Sequence, residues 1–439
     1  MTDYVPLLFF GSFFVLMMAG YPVAFTIGGL SLVFGALTVG PGFFELLPMR
    51  IWGIMTNYVL ISVPLFVFMG VMLEKSGIAE ELLETMALLF RRVRGGLAIS
   101  VVLVGALLAA ATGIVGATVV TMGLLSLPTM LKRKYKTELA TGTIAAAGTL
   151  GQIIPPSIVL ILLGSVLNIS IGDLFMGAVI PGLILVVLYI LWIISVSLMR
   201  PASAPAVPDT ELERYKGTVL VQRVISALLP PLLLILAVLG SIFVGIASPT
   251  EAAAVGALGA SVLTVAHRRF NYKILSGVMR ETMYLTSMVF IILVGATSFA
   301  LVFRGMGGDM YLTGLITDAQ LGPNAFLALV MIILFVAGFF MDFIEITFII
   351  VPIVAQIFER MGVDLLWIGI LIAMNLQTSF LTPPFGFSLF YLKGVSPKEV
   401  TTGHIYRGII PFVIIQIAAL MIVLFFPETA TWLPRAVGR

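Results

Sequence analysis

The sequence contains no cysteine and only two histidines among its 439 residues. The lack of cysteine excludes disulfides, thiolate metal sites and thiol redox chemistry. His267 and His404 lie in short segments between apolar runs, and no HExxH, GxSxG or GxxxxGK[ST] pattern occurs. We therefore expect no enzyme activity, no cofactor and no coupling to ATP.

Charged residues are also scarce. They make up 10% of the chain, against 60% hydrophobic residues and a mean hydropathy of +1.17. Such a chain has too little polar surface to cover a soluble body, so we predict an all-α integral membrane protein surrounded by membrane lipid. No basic cluster is interleaved with aromatic residues, so we expect no nucleic acid partner. Asp3 stands where a cleaved signal would carry Lys or Arg, and the first apolar run is expected to be retained.

Apolar runs of transmembrane length mark ten predicted spans. They are 4–18, 22–39, 57–73, 138–164, 174–199, 224–247, 251–266, 282–303, 366–390 and 408–426. Two further apolar stretches, 97–131 and 323–358, are too long for one span and short for two. We predict that each of these two stretches is a re-entrant hairpin.

Basic residues predict the orientation, because Lys and Arg concentrate on the cytoplasmic side. Five segments that alternate with the predicted spans hold 19 of the 24 Lys and Arg residues; they are 74–96, 131–137, 200–223, 267–281 and 391–407. This distribution predicts a multi-pass membrane protein with its N-terminus outside. Both ends of the first hairpin then lie inside, and both ends of the second lie outside.

The chain divides almost in half at a linker rich in Pro, Ala and charge. We predict a first repeat over 1–199, a cytoplasmic linker over 200–223 and a second repeat over 224–439. Each half has five full crossings, one hairpin and an amphipathic arm helix, the first arm lying within 74–96. An odd number of crossings places the second half in the membrane upside down relative to the first, which is an inverted repeat.

Two predicted spans contain double prolines at corresponding places. "GTLGQIIPPSIVLILLG" contains Pro155 and Pro156, and "NLQTSFLTPPFGFSLFYLKG" contains Pro383 and Pro384. Because proline removes a backbone donor, we expect spans 138–164 and 366–390 to be broken helices that unwind before their prolines. In secondary transporters, paired breaks turn helix N-termini toward an anionic substrate and free carbonyls toward a cation. A packing kink is the alternative, and the matched positions favour the binding site.

The predicted hairpin tips add polar residues near the middle of the membrane. The first tip reads "AATGIVGATVVTMG" and the second "GFFMDFIEITFIIVP", which contains Asp342, Glu345 and Thr347. Carboxylates at membrane depth are functional hypotheses by default. Asp342 is either a helix N-cap, an ion ligand or both, and Glu345 fits a scaffold contact better than a ligand. The run "NLQTSFLTPP" offers further polar side chains, some of which only bridge helices; Ser379 and Thr382 lie nearest the break.

Five ordered motifs resemble the large membrane (M) subunit of tripartite ATP-independent periplasmic (TRAP) transporters, within the ion transporter superfamily. They are "ATGIVGATVVTMGLLSLPTM", "AAAGTLGQIIPPSIVLILLG", "SIGDLFMGAVIPGL", "GFFMDFIEITFIIVPI" and "FLTPPFGFSLFYLKGV". The resemblance covers nearly the whole chain. It implies a multi-pass protein of the bacterial cytoplasmic (inner) membrane, whose external N-terminus is then periplasmic. It implies sodium-coupled import of organic acids by symport, with an elevator mechanism that moves a transport domain of hairpins and broken helices against a scaffold domain. It also implies two partners: a small four-helix membrane subunit, expected here as a separate chain, and a periplasmic substrate-binding protein.

The resemblance further implies where substrate and sodium bind. The candidate site residues, with Na⁺ as the coupling ion at the same positions, are Thr112, Gly113, Gly116, Thr118, Gly148, Thr149, Gly151, Pro155, Asp342, Thr347, Gln377, Thr378, Ser379, Thr382 and Pro383. The "TGIVGATVVTMG" tip departs from the serine-rich tip common in the family and is similar to the branch associated with 2-oxo acids, mannitol or chloroaromatic acids. The identity of the organic acid and the number of sodium ions stay open.

Other classes of function remain as alternatives. An ion channel would show a continuous polar stripe along several spans, whereas polarity here clusters at two breaks and two tips. An intramembrane enzyme would need a second catalytic group beside Asp342. Within transporters, the alternative is a one-component sodium/dicarboxylate symporter or antiporter of the same superfamily.

Overall fold

A computed structural model describes residues 4–40, 42–113, 115–206, 218–384 and 386–438. Within these ranges the regular secondary structure is helical throughout. The helices before the predicted linker are α1 Val5–Met18, α2 Val23–Phe34, α3 Gly42–Met55, α4 Ser62–Lys75, α5 Ile78–Leu89, α6 Gly96–Thr112, α7 Val115–Lys132, α8 Thr137–Thr149, α9 Ile158–Leu167 and α10 Ile171–Met199.

Eleven helices of the described chain follow the linker. They are α11 Thr218–Phe243, α12 Pro249–Ala266, α13 Tyr272–Gly305, α14 Gly308–Asp318, α15 Pro323–Ala337, α16 Phe343–Ile349, α17 Val351–Arg360, α18 Leu365–Leu381, α19 Phe387–Val395, α20 Thr402–Phe425 and α21 Glu428–Ala436. Residues 207–217, which form much of the predicted linker, lie outside the described residues, and α11 begins within the range predicted for that linker.

Seven segments of the described chain are long and apolar enough to cross a membrane, by length and composition. They comprise α4 with the short helical turn before it, α7, α10, α12, α13, α20 and the part of α11 from Val221. Helix α13 is longer than the predicted span 282–303, because it continues through most of the segment expected as a loop. Helix α21 follows the last predicted span and has no counterpart in the sequence prediction.

Each of the two long apolar stretches folds as a pair of helical limbs. In the first, α6 and α7 pack against each other and join at Gly113, which has a left-handed φ of +61°. In the second, α15 leads into a turn at residues 338–342 and the return limb is divided into α16 and α17. Each stretch is therefore a pair of helical limbs joined by a turn, and the two turns differ. The re-entrant course of both stretches stays a prediction.

Both predicted broken helices are interrupted at their prolines. Helix α8 gives way to a short 3₁₀ turn at Leu150–Gln152, and α9 begins only after the proline pair. Helix α18 ends at Leu381, and α19 begins at Phe387. Proline contributes to each interruption, since it lacks the N–H that would continue the helical ladder. It is not sufficient by itself, because Pro230 and Pro231 lie inside the continuous helix α11.

The helices pack into two groups. Helices α2, α4, α12 and α13 contact one another, and α1 joins them through stacked rings of Phe9 and Phe299, whose centroids are 4.2 Å apart. Helices α6 to α10 and α15 to α20 form the second group around α8 and α18. Helix α8 is buried from Leu139 to its end, and α18 is buried from Ile368 to its end. The two broken helices therefore form the core of the second group.

Candidate functional site

The first break lies between α8 and α9. The hydroxyl of Ser157, the last residue before α9, donates to the carbonyl oxygen of Gln152 at 2.9 Å across the interruption. The side chain of Gln152 is fully buried, and neither its amide nitrogen nor its amide oxygen has a hydrogen-bond partner in the described chain. A buried amide without partners is costly, so Gln152 adds unused hydrogen-bonding capacity at the first break.

The second break, between α18 and α19, is held in a related way. The hydroxyl of Ser388 donates to the carbonyl oxygen of Phe380 at 2.9 Å, and the hydroxyl of Tyr406 on α20 donates to the carbonyl oxygen of Pro384 at 2.9 Å. Gln152 and Phe380 precede their proline pairs by the same number of residues. A serine therefore satisfies the equivalent carbonyl in both halves.

The two broken helices meet through their polar side chains. The side-chain nitrogen of Gln377 donates to the hydroxyl oxygen of Thr149 at 3.5 Å, a long hydrogen bond between two fully buried residues. Thr149 and Gln377 also stand at the same distance before their first proline. The oxygen of the Gln377 amide has no partner among the described residues. Two equivalent positions thus face each other where the halves join.

The tip of the first hairpin lies against the first break. A Cβ added to Gly113 would stand 3.0 Å from the backbone nitrogen of Ile158, the first residue of α9. A Cβ added to Gly151 would stand 3.1 Å from the carbonyl oxygen of Ala109, and a Cβ added to Gly148 would collide with the side chain of Val119. Small residues at these three positions allow the hairpin backbone to contact the broken helix directly.

The tip of the second hairpin is built around a carboxylate pair. The Asp342 carboxylate accepts from the backbone N–H of Phe343 at 2.7 Å, and the Glu345 carboxylate accepts from the backbone N–H of Asp342 at 3.0 Å. This is a capping box at the start of α16. The N-cap role of Asp342 and the scaffold role of Glu345 are both seen in this geometry. The hydroxyl oxygen of Thr347, fully buried one turn on, has no partner in the described chain.

The second hairpin also contacts its own broken helix. A Cβ on Gly338 would collide with the side chain of Ser379, so the hairpin turn rests directly on α18. The side-chain nitrogen of Asn375 donates to the carbonyl oxygen of Met331 on α15 at 2.8 Å. Asn375 therefore bridges helices, as the sequence analysis allowed for some of this polar run.

The halves exchange contacts at the hairpin limbs. A Cβ on Gly116 in the first hairpin would stand 3.0 Å from the ring of Tyr391, which belongs to α19 in the second half. Helix α9 of the first half, in turn, contacts α16 and α17 of the second hairpin. Each hairpin thus packs against the far segment of the other half's broken helix.

Most hydroxyls of the candidate site are donors to their own helices. Thr149, Thr378, Ser379 and Thr382 donate to carbonyl oxygens three or four residues earlier, at distances of 2.7 to 2.9 Å. A hydroxyl that donates one hydrogen bond keeps oxygen lone pairs free for a cation. Within the residues that the structure describes, no group of three or more His, Cys, Asp or Glu side chains could hold a metal. The available donors are neutral oxygens and one carboxylate pair, a set that suits a hard cation.

A family model for the tripartite ATP-independent periplasmic transporter, DctM component, matches residues 10–429. The chain belongs to the TRAP large membrane subunit family. It is 32% identical over 410 residues to the C4-dicarboxylate TRAP transporter large permease protein DctM of Pseudomonas aeruginosa, covering 92% of this chain and 93% of the relative. It is 28% identical over 426 residues to the sialic acid TRAP transporter large permease protein SiaM of Vibrio cholerae, covering 95% and 96%.

The structure of this TRAP large membrane subunit is also similar to the crystal structure of the Alcanivorax borkumensis YdaH transporter. The TM-score is 0.65, and the match covers 99% of each chain at 14% sequence identity. At that identity the match shows a shared fold and nothing finer. The chain is thus a multi-pass transporter subunit, and its relatives are permeases.

Of the candidate residues of this TRAP subunit, most lie at the two breaks or the two tips. Pro155 and Pro383 lie within the interruptions, and each is joined to the next proline by a cis peptide bond. Thr118 is buried on α7. Thr112 ends α6, and its side chain lies outside the described residues. The sodium and substrate roles of all these positions remain predictions.

Three residues at or near this region were missed by the sequence analysis. Gln152 and Tyr391 stand in quoted motifs, and their signal was available as polar side chains beside a proline pair. Glu74, on α4, accepts a hydrogen bond from the hydroxyl of Thr121 on the first hairpin. The sequence analysis placed Glu74 in the arm, because a carboxylate at the end of a span is expected to contact solvent when no partner for it is known.

Proposed function

We propose that this chain imports a small organic acid by sodium-coupled symport, together with a separate small membrane subunit and a periplasmic binding protein. The observation that carries the proposal is the contact between Thr149 and Gln377, which joins the two broken helices at matching positions. A pair of broken helices that meet in a protein core is the arrangement in which secondary transporters bind substrate and ion.

Two inverted repeats, 1–199 and 224–439, form part of this proposal. Reciprocal packing supports it, since the return limb of each hairpin contacts the far segment of the other half's broken helix. Equivalent serine-to-carbonyl hydrogen bonds at the two breaks give further support. The repeat assignment also fits a periplasmic N-terminus in the bacterial inner membrane.

An elevator mechanism is the motion we propose. The hairpins and broken helices would move as one transport body, because α8 and α18 are buried among them. Helices α1 to α4 and α11 to α13, with the arm α5, would remain fixed as a scaffold. Two ion pairs support a rigid arm, Arg223–Glu84 at 2.6 Å and Arg269–Glu81 at 3.5 Å, and the pair Lys75–Glu281 at 2.6 Å joins α4 to α13 within the scaffold.

Sodium is the proposed coupling ion because the breaks and tips offer hard oxygen donors. The partnerless oxygens of Thr347 and Gln377 are buried there, and the Asp342 carboxylate supplies a negative charge at the second tip. The names of the two relatives describe C4-dicarboxylate and sialic acid transport, and both substrates are carboxylic acids. An anionic substrate also fits the N-termini of α9 and α19, which begin at the breaks.

Reconstitution in proteoliposomes tests the proposal against the one-component alternative. Uptake of a panel of labelled carboxylates is measured with this chain alone, with the small subunit, and with both partners, under inward sodium or potassium gradients. We expect uptake only with all three proteins and a sodium gradient. Sodium-driven uptake by this chain alone would favour the one-component symporter, and equal uptake under potassium would contradict sodium coupling.

A single cysteine tests the orientation, since the chain has none of its own. Asp173, at the start of α10, lies on the proposed periplasmic face. We expect Asp173→Cys to react with an impermeant maleimide added from the periplasmic side. Labelling only from the cytoplasmic side would overturn the orientation and the repeat assignment with it.

A further inference from the structure

A side-chain hydrogen bond joins the two packing groups near the end of α4. The hydroxyl of Thr121 on α7, the return limb of the first hairpin, donates to a carboxylate oxygen of Glu74 on α4. Helix α4 packs against α12 and α13 of the first group, whereas α7 packs against α8 and α19 of the second. The hydrogen bond therefore connects a helix of the proposed scaffold to a hairpin of the proposed transport body.

The Glu74 carboxylate has one hydrogen-bond donor in the described part of the chain, the Thr121 hydroxyl. Its second oxygen is buried and accepts no hydrogen bond there. The neighbouring Lys75 points its ammonium elsewhere, because it pairs with Glu281 on α13 at 2.6 Å. Hydrogen bonds to a charged group are stronger than those between neutral groups, and a buried carboxylate that loses its donor is costly. Separation of Thr121 from Glu74 therefore requires free energy.

The second half of the chain has a different residue at the position of Glu74. Glu74 precedes Gly77 by the same number of residues as Arg304 precedes Gly307, and these two glycines, with left-handed φ of +73° and +75°, lead directly into α5 and α14. Arg304 pairs with Asp309 on α14 at 3.4 Å. Helix α14 packs on α13 and α1, so this ion pair stays on the side of the first group. Arg304 is therefore a matched position whose contact does not involve a hairpin.

The return limbs of the two hairpins differ in the same way. Thr121 precedes Pro128 by the same number of residues as Glu345 precedes Pro352. The Glu345 carboxylate accepts from the backbone N–H of Asp342 within its own hairpin. In the first half the hairpin supplies the hydroxyl and the scaffold supplies the carboxylate. Donor and acceptor therefore lie on two different bodies only in the first of these two contacts.

The second hairpin reaches the first packing group through a more exposed contact. The guanidinium of Arg360, at the end of α17, donates to the hydroxyl of Thr313 on α14 at 3.5 Å. Arg360 is exposed, so water competes for this long hydrogen bond. Of the two contacts, the one between Thr121 and Glu74 is therefore expected to be the stronger.

We propose that the hydrogen bond from Thr121 to Glu74 is a latch, which holds the first hairpin against the scaffold in the position seen in this structure and breaks when the transport body moves. This inference rests on the elevator motion proposed above. A displacement of the hairpin along α4 by one helical turn, about 5 Å, is enough to break the hydrogen bond. The latch then sets the share of molecules in this position, whichever organic acid is transported.

Distances between two spin labels test the latch without a substrate. Lys273→Cys at the start of α13 and Lys398→Cys in the loop between α19 and α20 are exposed attachment sites on the two packing groups, in a chain that has no cysteine of its own. Double electron–electron resonance on the full chain in nanodiscs gives the ratio of the distance seen in this structure to a second distance. We expect Thr121→Val to lower this ratio about tenfold, and Glu74→Gln, which keeps an acceptor but not the charge, to lower it about threefold.

Three further variants show whether the ratio depends on this hydrogen bond. Thr121→Ser keeps the hydroxyl and should keep the ratio within about twofold. The double variant Glu74→Gln, Thr121→Val should lower the ratio no further than Thr121→Val alone, because both changes remove one contact. Arg304→Gln removes a charge at the matched position and should leave the ratio unchanged, and a fall equal to that of Glu74→Gln would refute a specific latch.

The same measurement separates the latch from the elevator motion on which it rests. Two distances whose ratio is the same in Thr121→Val, Glu74→Gln and the unmodified pair would refute the latch and leave the motion standing. A single distance in every variant, with and without sodium, would contradict the elevator motion and the latch with it.

Discussion

The two halves of the binding region perform the same structural task with different chemistry. In the first half, the hairpin turns at Gly113, and glycines bring it against the broken helix. In the second half, the turn ends in the Asp342 and Glu345 capping box. Both arrangements satisfy the backbone where a chain reverses direction, but only the second brings negative charge. The difference teaches that two turns of similar shape, each packed against a broken helix, can differ in charge.

The sharpest way to test this asymmetry is Asp342→Asn. Asparagine also caps helices, so the change removes the charge and preserves the cap. A charged group that binds a cation in a buried site contributes about 3 kcal/mol, which corresponds to about a hundredfold in affinity. We expect the sodium-dependent rise in the midpoint of thermal unfolding, measured at constant ionic strength with choline chloride, to need about a hundredfold more sodium.

The control for this prediction is Asp364→Asn. Asp364 also caps a helix, accepting from the backbone N–H of Leu366 at 2.9 Å at the start of α18, but it lies in an exposed loop. The sodium-dependent rise in the midpoint of thermal unfolding should be the same in Asp364→Asn as in the unmodified protein. An unchanged response in Asp342→Asn would show that the carboxylate only caps α16.

The first half should respond most to a change at its turn. Gly113→Ala adds a Cβ at a left-handed φ of +61° and 3.0 Å from the backbone nitrogen of Ile158. Strain and crowding together should lower the free energy of unfolding by about 2 kcal/mol or more. Gly362→Ala is the matched control, because φ there is +71° and nothing lies within 4 Å of the added Cβ. Equal losses in the two variants would show that the tip is not packed against α9.

The sequence predicted much of this arrangement, because its signals are local. A double proline favours the interruption of a helix, and an apolar stretch too long for one span is expected to fold back. The proline pairs that begin at Pro155 and Pro383 and both long stretches behave in this way, whereas Pro230 and Pro231 lie inside the continuous helix α11. A capping role for Asp342 was one of the alternatives that the sequence offered, since a cap depends on residues within one helical turn.

Contacts between distant segments were beyond the sequence. Nothing local indicates that Thr149 meets Gln377 or that Tyr391 covers Gly116. The extent of α13 was also underestimated, because Lys273, Arg280 and Glu281 interrupt its hydropathy although the helix continues through them. Which distant segments meet, and whether a helix continues through charged residues, depends on long-range packing.

Replacing the proline pair at each break tests whether the two halves contribute equally to sodium binding. Pro383→Ala with Pro384→Ala should let α18 and α19 join, because alanine restores the missing backbone donor. The same change at Pro155 and Pro156 should join α8 and α9. We expect each double variant to fold and to bind sodium about tenfold more weakly, since carbonyls would return to helical hydrogen bonds. A loss confined to the Pro383 and Pro384 variant would mean that the ion site belongs to the charged half alone.

The smallest expected effect separates Glu345 from Asp342. Glu345→Ala removes the acceptor for the backbone N–H of Asp342 and should lower the free energy of unfolding by about 1 kcal/mol. Glu345→Gln can make the same capping contact, so it should lower the free energy of unfolding by less than about 0.5 kcal/mol. Glu251→Ala breaks the equivalent capping box at the exposed start of α12. Its effect on the free energy of unfolding is the reference for a capping box in contact with water. Because the Glu345 carboxylate is engaged by the backbone, its two variants should bind sodium as the unmodified protein does. If Glu345→Gln instead weakens sodium binding as strongly as Asp342→Asn, both carboxylates belong to the ion site, and the contrast between the halves rests on two charges.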